Sequence, residues 1–180
     1  MRQQHVGFTL IELLIALVIA AVLATIALPS FSELFVSNRV TTQTNDLINA
    51  LNYARSEAIR RGIPVCIRST SGTDNDWSQG WQIFVDPNAN RTSSSTICST
   101  TGATILQSHE AISGGSTLAS TTNFAQFVRF NAFGVAANSS DVGVSGSFSL
   151  CRSDSNSAKS KLISISTTGL TALSQTAPSC

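Results

Sequence analysis

The stretch Gly7-Phe8-Thr9-Leu10-Ile11-Glu12-Leu13-Leu14-Ile15-Ala16-Leu17-Val18-Ile19-Ala20-Ala21-Val22-Leu23-Ala24-Thr25-Ile26-Ala27-Leu28 decides the fold. From Phe8 to Leu28 its only ionisable side chain is Glu12. Wound as a helix, this run would be roughly 30 Å long, about the thickness of a bilayer core. Unbroken apolar runs of this length rarely sit in soluble domains, so a membrane anchor is preferred over a buried core helix. A secretory signal places its small-residue cleavage site after the apolar core. Here the small-residue break, Gly7, lies before it, behind Arg2 and His5. A cut at Gly7 therefore removes a short polar leader and leaves the apolar helix on the product.

The motif Gly7-Phe8-Thr9-Leu10-Ile11-Glu12-Leu13 resembles the class III leader of type IV prepilins and pseudopilins. The resemblance implies a prepilin peptidase that cuts between Gly7 and Phe8, and an N-methylated Phe8. It also implies a role for Glu12 in assembly, because the family carries Glu at the fifth mature position. The physics of Glu12 points the same way. A carboxylate in a membrane helix costs a few kcal/mol even near the edge, so it needs a partner. Cleavage creates an α-amino group on Phe8, about one helical turn away. Glu12 can pair with that amine in its own chain, or lie protonated at the headgroup boundary. The resemblance implies a third arrangement, in which Glu12 meets the amine of a neighbouring subunit in a filament.

Composition agrees with export. The 180 residues hold one domain plus the anchor, and loss of residues 1–7 leaves 173. Eleven Lys and Arg face ten Asp and Glu, and losing Arg2 makes the balance ten against ten. That neutrality gives no bulk attraction for nucleic acid or anionic lipid. Charged residues are only 12% of the chain, and Ser, Thr, Asn and Gly take their place, which suits an extracytoplasmic β-rich domain. Arg2 is followed by no Lys or Arg until Arg39, so the start faces the cytoplasm. The expectation is a single-pass inner-membrane protein with its C-terminal domain in the periplasm, where disulfides persist.

Pro29 follows the apolar run. A proline inside a helix removes one hydrogen bond and kinks or loosens it, so a helix kink is expected there, not an end. Phe31, Leu34, Phe35, Leu47, Ile48, Leu51, Ala54 and Ala58 recur at helical spacing and mark one face of a continuing helix. Residues 37–46 are polar and poor in helix formers, and are expected to be exposed. Arg60 and Arg61 suit the negative end of the helix dipole better than a nucleic-acid patch, and Gly62 suits a C-cap. After Gly62 the period falls to two. Strands are expected at 63–68, 77–86, 104–107, 127–130, 147–151, 162–166 and 170–173, with a turn at Thr167-Thr168-Gly169. Short strands at this spacing suggest antiparallel sheets packed as a sandwich. The fold class is α+β: a leader at 1–7, an N-terminal helix at 8–62 with 8–28 in the membrane, and a β-rich domain at 63–180.

Several later motifs narrow the resemblance. They are Tyr53-Ala54-Arg55-Ser56-Glu57-Ala58, Asp76-Trp77-x-x-Gly80-Trp81-x-x-Phe84-x-Asp86, Phe130-Asn131-x-x-Gly134, Phe148-x-Leu150-Cys151 and Ile163-Ser164-Ile165-Ser166-x-x-Gly169. Together they resemble the GspH/FimT family of minor pilins and pseudopilins. The resemblance implies a type IV pilin-like fold and a low-abundance subunit that helps start or tip a fibre. It also implies partners: other minor and major pilins or pseudopilins, met through the N-terminal helix. The alternatives are a GspH-type pseudopilin of type II secretion and a FimT-like DNA receptor for transformation. An enzyme is not expected.

Candidate chemistry is thin. After processing His109 is the only histidine, no nucleophile–histidine set can be assembled, and no zinc-ligand spacing occurs, so no metal or cofactor is expected. Asp86-Pro87-Asn88-Ala89-Asn90 resembles the opening of a calcium loop, but Arg91 and Ile97 stand where Gly and Glu are required, so an Asx-rich turn is preferred. Asp74 and Asp76 read as loop residues, and Trp77 and Trp81 as core and turn anchors. Cys66, Cys98, Cys151 and Cys180 point to two disulfides in an exported domain, with three possible pairings. The resemblance to related minor pilins implies Cys151 with Cys180, which leaves Cys66 with Cys98. DNA-binding relatives look to carry Gly-Arg-x-Arg near the final strands, and this chain has Gly169-Leu170-Thr171-Ala172 there. Arg152, Lys159 and Lys161 are the nearest cations, interrupted by Asp154 and a Ser-rich loop, so DNA is not an expected partner.

Mass spectrometry of the mature protein is expected to find Phe8, N-methylated, as the first residue. An intact Met1, or cleavage after the apolar run, would contradict the leader reading.

Overall fold

The computed structural model describes residues 8–86, 97–137, 142–154, 156–174, 176, 178 and 180, the side chains of 26–31 excepted. The chain divides into two compact units, one ending at Asn38 and the other spanning Arg39–Cys180. Helix α1, Leu10–Arg61, is assigned without a break through position 29. Its end follows from the sequence. Gly62 adopts φ +67° and its N–H bonds the Ala58 carbonyl, the left-handed C-cap geometry that glycine takes at least cost.

In the first unit the large apolar side chains from Phe8 to Leu23 are exposed on every side of the helix. A helix that is apolar all round requires an apolar surrounding, protein or lipid. Among the described residues no helix is long and apolar enough to cross a membrane. The apolar run itself continues to Leu28, into positions whose side chains lie outside the description.

In the second unit the helix buries one stripe: Val40, Gln43, Thr44, Leu47, Ala50, Leu51, Ala54, Glu57 and Ala58. This corrects the exposed middle expected at 37–46, because burial begins at Val40 and not at Leu47. Spacings of three and four carry the stripe through polar residues, of which Thr44 and Gln43 donate to backbone carbonyls while the Gln43 Oε1 is buried with no hydrogen-bond partner among the described residues. The Thr44 hydroxyl donates to the Val40 carbonyl at 2.7 Å, and the Gln43 amide donates to the Ser113 carbonyl at 2.9 Å. Ala54 and Ala58, both 0% exposed, share one core with side chains of both sheets.

The described residues form nine strands: β1 Val65–Ser69, β2 Trp81–Val85, β3 Thr104–His109, β4 Thr117–Ser120, β5 Phe127–Phe130, β6 Ala136–Ala137, β7 Gly146–Cys151, β8 Lys161–Ile165 and β9 Thr171–Ser174. They make a five-stranded sheet, β3-β2-β1-β5-β6, and a four-stranded sheet, β4-β7-β8-β9, with every pairing antiparallel. The expected strand at 77–86 starts only at Trp81. Residues 77–80 form a turn in which the Gly80 N–H reaches the Trp77 carbonyl, and a Cβ on Gly80 would lie 2.2 Å from the His109 carbonyl oxygen. Strands β4 and β6 were not expected.

The two tryptophans anchor the core as read from the sequence. The Trp77 indole N–H donates to the Phe124 carbonyl, and its ring meets Phe148 edge-on at 4.9 Å. A second small core groups Cys66, Phe84, Ile97 and Cys98. Disulfides join Cys66 to Cys98 and Cys151 to Cys180, so the implied pairing is the one present. The first ties β1 to the segment before β3, and the second holds the C-terminus against the end of β7.

At the helix end Glu57 bonds Arg60 through both oxygens and Arg61 at 2.7 Å. The Arg60 and Arg61 guanidinium groups hold its carboxyl at about 2, below its ordinary 4.5. A depressed folded value contributes stability that is complete above about pH 4.5 and is lost as the pH falls toward about 2. Melting the detergent-solubilised chain across that range is expected to show a fall in Tm that Glu57→Gln makes shallower, the remainder coming from carboxyls such as Asp154 that are also held low; an unchanged slope would contradict this pairing. Cys151→Ser is expected to release the tail and cost about 2–5 kcal/mol of stability. Unreduced peptide mapping checks the pairing directly, and a Cys66–Cys151 link would refute it.

Candidate functional site

The start of α1 carries the residues singled out for processing and assembly. Gly7 lies outside the described residues, and Phe8 is the first described one, 81% exposed. Thr9 precedes the first helical residue and Glu12 is the third within the helix. The Glu12 Oε2 accepts the Thr9 backbone N–H at 3.1 Å and the Thr9 hydroxyl at 2.9 Å, while the Glu12 N–H donates to the Thr9 Oγ1 at 3.3 Å. This is a reciprocal capping box, which satisfies N–H groups the first helical turn leaves open. Thr9-x-x-Glu12 is the sequence signature of that cap, and the sequence reading passed over it in favour of the Phe8 amine. In this chain the carboxylate is held at the helix mouth by its own Thr9, within one turn of the position where cleavage would create an amine.

Pro29 lies in the continuous helix, and its side chain is outside the description. The calcium-loop candidate at 86–90 falls outside it beyond Asp86. Asp86 is buried and its Oδ2 accepts the Arg129 Nε at 3.0 Å, with both side chains almost fully enclosed. Cys66, Asp86 and Cys98 place one sulfur each and a carboxylate oxygen within 4.8 Å of one another. The two sulfurs are bonded to each other, so neither is a thiolate that could ligate a metal. Arg129 faces Cys66 across β1 and β5. Breaking such a buried pair strands a charge, so its role is to fix the end of β2 under the disulfide.

His109 stacks on Trp81, with ring centroids 4.1 Å apart and planes 6° from parallel. Its Nδ1 lies 2.7 Å from the Glu110 carbonyl oxygen, and its Nε2 lies 3.6 Å from Asp46. Asp46, His109 and Arg39 line a shallow cleft of about 260 Å³ with Gln43 and Ser113. Asp76 is spent on its own loop, where the Ser78 N–H and the Ser71 hydroxyl hold its carboxyl below the usual range.

The three cations read together from the sequence part company. Arg152 is 3% exposed and binds Asp154 through both carboxylate oxygens, at 3.0 and 2.8 Å. Arg152 in turn holds the Asp154 carboxyl at about 2. Lys159 is exposed, in a short 3-10 turn, and Lys161 is half-buried at the start of β8. The buried guanidinium leaves a smaller cationic surface than the sequence offered. Gly169, at φ +76°, closes the β8–β9 turn, with Leu170 and no cation at its tip.

Comparison with known proteins fits this arrangement. The chain is similar to crystal structures of the type IV minor pilin FimU of Pseudomonas aeruginosa strain PAO1 in two crystal forms. One is 22% identical over 78% of this chain and 93% of that chain, with a TM-score of 0.62. The other is 21% identical over 77% and 96%, with a TM-score of 0.58. At this identity the likeness is one of fold. No curated protein sequence matches the chain. A prokaryotic N-terminal methylation motif matches residues 7–28, and the profile described as Type II transport protein GspH matches residues 43–169. With that profile spanning most of the sequence, and the methylation motif lying on the capped apolar helix, the chain belongs to the GspH family of minor pilins and pseudopilins.

Proposed function

We propose that this chain is a low-abundance structural subunit that helps initiate or tip a type IV pilus, entering the fibre through its N-terminal helix. The observation that carries the reading is the start of α1: an apolar-all-round helix within a methylation motif, with Glu12 poised at its mouth. In this reading a prepilin peptidase removes residues 1–7, and Phe8–Leu28 hold the product in the inner membrane with residues 63–180 in the periplasm. Methylated Phe8 then offers its amine to Glu12 of an adjoining pilin or pseudopilin. Moving from lipid into a fibre of like helices costs the apolar side chains little. The carboxylate, bonded in its own chain only to the neutral groups of Thr9, therefore supplies the discrimination, since in the fibre it gains a partner of opposite charge.

The description of the family profile favours a second reading of the same mechanism, a pseudopilin of type II secretion. Deleting the gene separates them: lost piliation supports the first, and lost protein secretion with intact pili supports the second. The DNA-receptor reading has the least support, with Leu170 at the β8–β9 turn and Arg152 buried on Asp154.

Glu12→Ala is expected to leave cleavage intact and lower the amount of chain in sheared fibres about tenfold, the effect of roughly 1.4 kcal/mol. Thr9→Val removes the capping hydroxyl and spares the carboxylate, and is expected to leave fibre entry near normal. Normal entry of the Glu12→Ala chain would rule out an assembly role for this carboxylate.

A further inference from the structure

Two turns of the β domain meet the last turns of α1 and leave three apolar side chains facing outward together. Ile59 is 48% exposed on the helix, Phe133 85% on the β5–β6 turn, and Leu170 59% on the β8–β9 turn. Their adjacency follows from the glycines beside them. A Cβ on Gly134 would lie 2.7 Å from Ile59 Cδ1, and a Cβ on Gly169 would lie 2.1 Å from the Gly134 carbonyl oxygen. Both glycines have positive φ, +75° and +76°, so the close approach is built into the turns.

Arg55 clamps the arrangement. Its Nε donates to the Gly134 carbonyl at 3.0 Å and its Nη2 to the Thr168 carbonyl at 3.4 Å, one bond to each turn. The Asn131 side chain accepts the N–H groups of Phe133 and Val135, which fixes the first turn from within. The backbones of both turns, which carry Phe133 and Leu170, are therefore fixed before any partner arrives, which lowers the ordering cost of binding. Exposed apolar residues gathered in this way mark interaction sites.

The charge around them selects the partner. Neither turn, 131–135 or 166–170, contains an ionisable side chain. The helix beside them carries Arg55, Arg60 and Arg61 against Glu57, an excess of two positive charges. A second copy would bring the same cations face to face in a two-fold contact, which opposes self-association. A fluid headgroup layer gains nothing from a pre-shaped surface, whereas a folded partner does.

We propose that Ile59, Phe133 and Leu170 form a docking surface for a different subunit of the same fibre, one that presents a bulky apolar side chain flanked by carboxylates. The proposal rests on the fibre reading above and adds the surface and the chemistry of the neighbour. The test uses the full-length chain in cells that make the fibre, with a photoreactive phenylalanine analogue at position 133 or 170, and at exposed Thr101 as control. Irradiation is expected to give an adduct from 133 and 170 but not from 101. Mass spectrometry is expected to place its far end in an acidic, apolar segment of another fibre subunit, with the yield reduced by Arg60→Gln. The Phe133→Ser/Leu170→Ser double variant is expected to accumulate normally with both disulfides formed, yet to enter fibres at least about tenfold less. Adducts only to lipid or to a second copy, or no adduct, would overturn the proposal. Whether the unsubstituted chain occurs in sheared fibres reads the fibre assignment separately, and the adducts decide the surface in either case.

Discussion

One helix here must satisfy two surroundings, and the rest of the chain is arranged around that demand. Up to Leu23 the described apolar side chains of α1 point outward all round, with one carboxylate at the start. From Val40 the same helix is one-sided, and its buried stripe closes the core of the β domain. The change is written in residue choice. The first part lacks any charge after Glu12 until Glu33, and the second sets a buried stripe from Val40 to Ala58 among exposed residues that are mostly polar. Because Ala54 and Ala58 present only methyl groups, sheet side chains as large as Phe130 fit within the same core.

The β domain is small, and it adds covalent and ionic ties to that core. The Cys66–Cys98 bridge joins the five-stranded sheet to the segment leading into β3, and Cys151–Cys180 secures the tail on the four-stranded sheet. The enclosed Arg129–Asp86 pair lies in the same region as the first bridge and fixes the end of β2. These groups are chemically capable ones, cysteines, a carboxylate and a guanidinium, but each is consumed by its neighbour. That is the pattern of a protein whose reactive side chains serve rigidity, as expected of a subunit that works by being held in an assembly.

Much of this was legible in the sequence, for reasons that differ by element. The apolar run, the Gly62 cap and the period-two strands follow from composition and spacing alone. The stripe at Val40, Gln43 and Thr44 was missed because polar residues masked it, and it is tolerated only because Thr44 and Gln43 find backbone acceptors. Strand β4 has two small polar residues among its four, Thr117-Leu118-Ala119-Ser120, and is stabilised by pairing with β7, which no local signal reveals. Trp77 reads as strand by its neighbours, yet the turn at Gly80 depends on the approach of His109 from a distant strand. Arg152 looked available because its burial is a tertiary fact. Glu12 stood out by the cost of a carboxylate in an apolar run, while its capping partner Thr9, three residues away, went unremarked.

The central claim is that the N-terminal helix carries this chain into a fibre as a minor component. Sheared, purified fibres analysed by quantitative mass spectrometry test it most directly. The account predicts peptides of this chain, beginning at Phe8, at a level far below the major subunit, and fewer or shorter fibres when the gene is removed. A chain that remains wholly in the membrane while fibres form in normal number and length without it would contradict the account.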